Sequence, residues 1–327
     1  MPGRLKSLLV QNEQGSLKRT RSPNPARRRT RSVKLLICSL LSTVVLPCLA
    51  ANNPGPQNPS ATQDAAALLL TPPHAWIVDV AANEIRAIQS RDPYLRYRVH
   101  TRDQKGDRVR DVIESKDGTV GRTILKDGRP LTAEEDLAER DRLNGLVNSP
   151  SEFAKHIHND STGKTLAVDL VRLMPDAMIY TYTPGQPQIN SPVAPHQIVI
   201  DYKPNPAWSP PNTTAEALTG LRGRMWIDPQ TRDLLRMEGE VFHGVNFGWG
   251  MLAHIYPGGK LALDQVNAGG DRWMFSHFVQ DMRVRALMVK TLSLNTTVDA
   301  SGFHTLPTPL TYQEAIHLLL ADPVAPN

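Results

Sequence analysis

The stretch GRMWIDPQTRDLLRME, residues 223–238, decides the fold, because two β-type segments flank a proline-containing turn. Five apolar residues of the two segments, the second of which extends to residue 242, alternate with charged or polar neighbours: Met225, Ile227, Leu235, Met237 and Val241. Successive side chains of a strand point to opposite faces of a sheet. The stretch therefore predicts an antiparallel hairpin with one apolar face and one charged face.

More β-type segments follow on the C-terminal side of Gly220, with turn residues between them. Together with the two segments of the hairpin they make six predicted strands: residues 224–228, 234–242, 250–256, 261–266, 272–284 and 287–298. Strands so close in sequence need hairpin connections, so we expect an antiparallel sheet. A final helix is predicted over residues 312–320, with Thr311 as its cap.

Helices and further strands are predicted on the N-terminal side of the hairpin. Apolar spacing predicts a helix over residues 78–90, and Asp-Gly pairs separate three short strands that follow it. Thr132 and Glu135 form the pattern of a capping box at the start of a helical block over residues 132–163. The extended segments outside the meander are residues 94–101, 109–114, 119–125, 178–183 and 197–202. The sequence thus predicts an α+β fold with an antiparallel sheet covered by helices.

Methionine is concentrated in the C-terminal half of the chain. Six of the nine methionines lie between residues 225 and 288: Met225, Met237, Met251, Met274, Met282 and Met288. Methionine side chains adapt to irregular shapes and suit both cores and apolar binding surfaces. The apolar face is therefore either an ordinary core under a helix or the wall of a cavity for acyl chains, with Met225, Ile227, Leu235, Met237 and Val241 as candidate lining residues.

The same hairpin resembles one found in the bacterial periplasmic lipoprotein-carrier superfamily, the LolA-like proteins with their related sigma-factor regulators. The similar features are a strand ending in Trp226-Ile227-Asp228, a Pro-x-Thr turn and a return strand with Leu-x-Arg-x-Glu. The resemblance implies a curved antiparallel sheet, an unclosed half-barrel whose apolar face is covered by helices and holds lipid or acyl chains. The helical block over residues 132–163 is longer than the family pattern and is interpreted as an insertion.

The first 50 residues are typical of a secretory signal peptide. Ten basic side chains and one acidic side chain precede an uncharged apolar run over residues 35–46, and small residues at 50 and 51 permit cleavage near Ala50. The alternative to cleavage is a retained membrane anchor. A translation start at Val33 would leave a shorter signal peptide. We expect a periplasmic protein with a flexible linker over residues 51–75, a domain over residues 76–327 and no membrane contact beyond the signal or a peripheral one.

Cleavage of the signal peptide would change the net charge and the cysteine content of the remaining chain. The totals of 37 basic and 32 acidic residues become 27 and 31, a net charge of −4, and both cysteines, Cys38 and Cys48, are lost. A mildly acidic domain without thiols is a poor candidate for nucleic-acid binding, thiolate catalysis or a zinc-thiolate site. No nucleic-acid partner and no cofactor are therefore predicted.

Two groups of residues were weighed as possible sites of chemistry. A metal site could involve His156 and His158 with Asp160, but two histidines two residues apart share a face only in an extended segment. The surrounding sequence favours a helix, in which they point away from each other. Ser276 and His277 are adjacent, so in a strand they face opposite sides. The sequence contains no local signature of a hydrolase, kinase or metalloprotease. No metal and no catalytic residue are predicted.

The prediction for function is a non-enzymatic envelope protein that binds a lipid or a lipoprotein acyl chain. The alternatives are a sensor or scaffold with a filled core that binds another envelope protein, and a hydrolase without a recognisable motif.

Overall fold

The computed structural model describes residues 68–184, 197–247, 253–286 and 290–321. The predicted signal peptide, the linker up to residue 67, Met251 and Met288 lie outside these ranges.

One antiparallel sheet contains all the described strands, and eleven of them form its continuous path in the order β4-β3-β2-β1-β13-β12-β11-β8-β7-β6-β5. The strands are β1 Leu95–Asp103, β2 Gly106–Glu114, β3 Thr119–Lys126, β4 Arg129–Pro130, β5 Met178–Tyr182, β6 Ile198–Pro204, β7 Leu221–Ile227, β8 Leu234–Val241, β9 Val245–Phe247, β10 Ala253–Ile255, β11 Lys260–Asn267, β12 Trp273–Ala286 and β13 Lys290–Thr305. In the part of the chain that the structure describes, this path ends at β4 and β5, so the sheet is unclosed.

Within the described residues, four α-helices and one 3₁₀-helix accompany the sheet: α1 Pro73–Gln89, α2 Ala133–Asn148, α3 Pro150–Ala177, α4 Tyr312–Ala321 and the 3₁₀-helix Thr214–Gly220. The sheet curves around α1, whose side chains reach strands that are far apart in the sheet. Trp76 donates a hydrogen bond of 2.7 Å to Tyr182 of β5, and Gln265 of β11 donates one of 3.0 Å to Glu84. The predicted α+β fold with a curved, unclosed antiparallel sheet is confirmed.

Three apolar clusters form the core of the part of the chain that the structure describes. The main cluster lies between the apolar face of the sheet, α1 and the C-terminal half of α3. The second cluster involves β9 and β10. The third joins α2, α4 and the N-terminal half of α3 to β2 and β3, with Phe153 stacked on Tyr312 at a centroid distance of 3.6 Å. Burial of these apolar surfaces provides the main favourable contribution to folding.

Both predicted helix caps are present. Thr132 accepts a hydrogen bond from the backbone N–H of Glu135, whose side chain accepts one from Thr132 in return. Thr311 and Glu314 repeat this arrangement before α4. These reciprocal bonds satisfy N–H groups that the first turn of a helix leaves free.

Helix boundaries differ from the sequence prediction at two places. The first helix begins at Pro73, so residues 73–75 of the predicted linker are helical. The second helix of the predicted insertion continues to Ala177 instead of ending near residue 163. The reason for the extension is tertiary packing, since Leu170, Leu173 and Met174 join the main cluster.

No helix within the described residues has the length and apolar character needed to cross a membrane.

Candidate functional site

The five candidate lining residues do not form one continuous surface. Met225 and Ile227 are 2% and 0% exposed in the main cluster, and Met237 packs against them as a partly buried neighbour. Val241 lies instead in the second cluster. Their ligand-lining role stays a prediction, but the structure brings only three of them together.

A β-bulge explains why Leu235 departs from the predicted alternation. Trp226 pairs with Arg236, whereas Ile227 pairs with Leu234, so Leu235 is the extra residue of the bulge. Leu234 takes the buried position and is 4% exposed. Strict alternation fails here because a bulge shifts the side-chain period by one residue.

Helix α1 covers the predicted face through specific contacts. The guanidinium of Arg232, in the turn after β7, lies 3.6 Å from the centroid of the Trp76 ring, and Arg232 also pairs with Asp79 at 3.3 Å. These contacts hold the turn between β7 and β8 against α1. The apolar face of the hairpin is therefore filled by protein around Met225 and Ile227.

One carboxyl group of α1 is buried within this packing. Glu84 is 4% exposed, and burial raises its pKa to about 8, an effect that the hydrogen bond from Gln265 partly opposes. A buried carboxyl avoids the large cost of a desolvated charge by remaining protonated at neutral pH.

A crevice lies under the middle of α3, and we call it the α3 crevice. It consists of two adjoining cavities of about 100 Å³ and 370 Å³, which share Ile88, Arg91, Asp160 and Lys164. The crevice occurs where α3 crosses from the third cluster to the main cluster. Charged and polar side chains line most of the crevice, and a few apolar side chains, including Ile88, Ile157 and Val168, lie among them.

The narrow end of the crevice contains a buried ion pair. Arg272 donates a hydrogen bond of 2.7 Å to Glu114, and the two residues are 5% and 6% exposed. Arg272 also donates to the carbonyl oxygen of Ser90 just after α1, and Glu114 accepts from the N–H of Leu95 at 3.3 Å. The pair thus joins α1, β1, β2 and the turn before β12 at one point.

The electrostatics of Glu114 reflect both burial and nearby cations. Burial raises its pKa, while Arg272, Lys164 and Arg91 act in the opposite direction, in that order of strength. Tyr97, which also lines the cavity, has its pKa raised by burial and by the charges of Glu114 and Asp160. Buried charges with such neighbours occur more often at functional sites than elsewhere.

The middle of α3 is the weakest part of that helix. Residues 158–165, HNDSTGKT, include a glycine and several residues with low helix propensity. Ser161 and Thr162 both donate hydrogen bonds to the carbonyl oxygen of His158, which competes with regular helix bonding. The segment above the crevice is therefore held less firmly than the two ends of α3.

The opposite, polar face of the sheet contains a second concave surface, which we call the outer groove. Its volume is about 1,070 Å³. Charges alternate across its strands: Arg224 pairs with Asp201 at 2.6 Å, Arg222 pairs with Glu240 at 2.9 Å, and Arg236 pairs with Asp264. Such cross-strand pairs are typical of a solvated sheet face.

The other residues weighed from the sequence have structural partners. His156 makes a 2.8 Å contact with the carbonyl oxygen of Thr119, and Asp160 pairs with Lys164 at 2.9 Å. Ser276 donates to the carbonyl oxygen of Asp264 at 3.4 Å, whereas His277 contacts Asp299 at 2.6 Å. No group of three or more metal-ligating side chains occurs among the residues described.

Sequence reasoning missed Glu114 and Arg272. These residues are 158 positions apart, and neither belongs to a local motif. In the sequence, each is only a charged residue at one end of a β-type segment. Charged residues are so common at such positions that they do not indicate a buried ion pair.

Comparisons with models of protein families, with curated protein sequences and with solved structures find no match to this chain.

Proposed function

We propose that the protein is a non-enzymatic, exported binding protein of the cell envelope that takes the apolar chain of an amphiphile into the α3 crevice. The observation that carries the proposal is the crevice itself, in which Ile88, Ile157 and Val168 lie beside charged residues under a weak helical segment. A cavity of about 370 Å³ falls within the range of small-molecule sites in proteins.

The weak segment of α3 provides a route of entry. Both ends of the helix are fixed, by Phe153 in the third cluster and by Met174 in the main cluster. Local opening of residues 158–165 would widen the crevice without disturbing either cluster, because low-stability segments open independently of the fixed elements around them. Met274 at the inner wall provides an adaptable contact for the incoming chain.

Native mass spectrometry of the full chain after gentle purification tests this proposal. We expect a bound amphiphile with a mass of several hundred daltons. Purification from several hosts with only the bare polypeptide mass would contradict the proposal.

A matched pair of variants links any bound mass to the crevice. Thr165→Trp places a large ring at an exposed position that lines the crevice, and should displace the ligand. Lys155→Trp is at an exposed position of the same helix, outside residues 158–165 and both cavities, and should retain the ligand. Equal ligand content in the two variants would show that the ligand binds elsewhere.

The outer groove supports a second candidate function, a sensor or scaffold that binds another envelope protein. The observation in its favour is the filled apolar face around Ile227, together with a groove whose walls are charged. This candidate predicts a co-purifying protein, without lipid, that Arg224→Glu releases. Retention of the partner by Arg224→Glu would contradict it.

A further inference from the structure

The narrow end of the α3 crevice has an excess of one positive charge. Five charged side chains line it, three cationic and two anionic: Arg91, Lys164, Arg272, Glu114 and Asp160. Arg91 donates to the carbonyl oxygens of Ser115 and Lys116, so neutral acceptors hold it in place, and it forms no ion pair within the described residues. The local field therefore favours an additional anion.

Arg272 has hydrogen-bonding capacity that the protein leaves unused. Its two terminal nitrogens donate to Glu114 and Ser90, but the Nε atom has no hydrogen-bond partner within the described ranges. A guanidinium presents its five N–H groups in a planar fork suited to carboxylate and phosphate. A buried donor without a partner costs free energy, and the side chain of Arg272 lines the narrow cavity, so an anion bound beside Arg272 would supply an acceptor that the protein does not provide.

We propose that this narrow end binds the anionic head group of the amphiphile, a carboxylate or a phosphate monoester, while the apolar chain lies in the wider cavity. The inference rests on the proposed function and narrows its ligand class. The head group contacts the Nε edge of Arg272 and the ammonium of Lys164. Arg91 adds long-range electrostatic attraction for the anionic head group. Glu114 keeps its hydrogen bond to a terminal nitrogen of Arg272.

Lys164 can change partners at little cost. Its side chain and that of Asp160 are 34% and 35% exposed, and a partly solvated pair of this kind contributes little to stability. Exchange of Asp160 for a ligand anion therefore leaves the fold intact. The buried Glu114–Arg272 pair is the fixed part of the site, and Lys164 is the adjustable part.

Equilibrium binding of three probes to the full chain tests the head-group site. The probes are oleyl alcohol, oleate and oleoyl lysophosphatidate, which carry the same type of chain on a neutral, a carboxylate or a phosphate head. We expect both anionic probes to bind at least about tenfold more tightly than the alcohol, since hydrogen bonds to charged groups have about that effect. The tighter of the two anionic probes identifies the source of the head group.

Two variants assign the preference to the residues named. Lys164→Met should reduce the preference for anionic probes about tenfold, whereas Lys155→Met, at an exposed position of the same helix outside both cavities, should leave it unchanged. The double variant Glu114→Met with Arg272→Met removes both buried charges together, so that neither is left unpaired. It should abolish the preference and still bind the alcohol.

The outcomes separate the head-group site from the proposed function. Equal affinity of the native protein for the alcohol and for both anionic probes would overturn the head-group site and leave the binding function intact. An unchanged preference in the double variant would also overturn it. Failure of all three probes to bind would overturn the proposed function itself.

Discussion

Gln265 donates a 3.0 Å hydrogen bond to Glu84 across the interface between α1 and β11, and both side chains are buried. This contact places a titratable group inside the main cluster, next to the residues that hold the sheet around α1. Burial raises the pKa of Glu84 from 4.5 to about 8. Glu84 should therefore make its own contribution to the pH dependence of stability.

The Glu84→Gln variant tests that dependence. In the native protein the folded state keeps the proton that the unfolded state loses above pH 4.5, so stability is full below that pH and falls as the pH rises to about 8. The fall is up to about 1.4 kcal/mol per pH unit. Glu84→Gln should remove this contribution, so its stability should fall less steeply than that of the native protein as the pH rises to about 8.

Urea unfolding at a series of pH values measures this effect. Glu134→Gln, at an exposed position of α2, is the matched control and should keep the native slope. A slope in Glu84→Gln equal to the native one would contradict the assignment of a protonated Glu84.

The Gly223→Ala variant tests the close packing of β7 against β8. A Cβ atom at this position would lie 1.9 Å from the carbonyl oxygen of Glu238 and 2.7 Å from the hydroxyl of Tyr202. Such crowding should lower the free energy of unfolding by about 1–3 kcal/mol. Gly145→Ala, in open space on α2, should instead raise it by up to about 1 kcal/mol. Thermal unfolding of the two variants gives the comparison, and equal effects would refute the packing described.

The Arg122→Ala variant tests how the third cluster is joined to the sheet. Arg122 is 2% exposed and donates to Asp136 of α2 and to the carbonyl oxygen of Leu319 of α4, both at 2.8 Å. Asp136 is 26% exposed and keeps Arg140 as a partner, so the loss is mainly that of the hydrogen bonds of Arg122 and should be about 1–3 kcal/mol. Lys155→Ala, which removes an exposed pair, should change stability by less than about 0.5 kcal/mol. Denaturant midpoints would show the difference, and a small loss in Arg122→Ala would contradict it.

The Ser161→Ala and Thr162→Ala double variant tests whether the middle of α3 opens. Alanine favours the helix over serine and threonine, and it removes the two bonds to the His158 carbonyl. Amide exchange over residues 158–165 should slow several-fold, and uptake of an apolar probe should slow with it. Ser151→Ala, in the first turn of α3, serves as the control. Slower exchange with unchanged uptake would show that this segment is not the route of entry.

Features that depend on residues close together in the sequence were predicted correctly, and features that depend on distant residues were not. Neighbouring residues alone determine the capping box of Thr132 and Glu135 and the Asp-Gly turns near Gly118 and Gly128. The strands and helix starts around these positions were predicted within a few residues. The antiparallel pairing of neighbouring strands followed from short connections. The predicted meander was wrong at β10, which pairs with β9 and β12, so that β8 pairs directly with β11. The bulge at Leu235 could not be predicted, because it depends on pairing with β7.

The site itself depended on long-range contacts. Glu114 and Arg272 meet only because β1 pairs with β13 and so brings the N-terminal strands beside the meander. The full length of α3 follows from packing of Leu173 and Met174 on the main cluster rather than from helix propensity. The α3 crevice forms only when these distant segments pack together, so no local sequence pattern predicts it.

Photo-crosslinking with a neutral, diazirine-labelled fatty alcohol tests the central claim most directly, since it locates the apolar chain without depending on its head group. Peptide mapping of the full chain should find the label on residues that line the α3 crevice, such as Ile88, Val168 and Met274. Excess oleyl alcohol should compete the label away. Labelling confined to the outer groove around Arg224 and Glu238, or no competable labelling at all, would contradict the account.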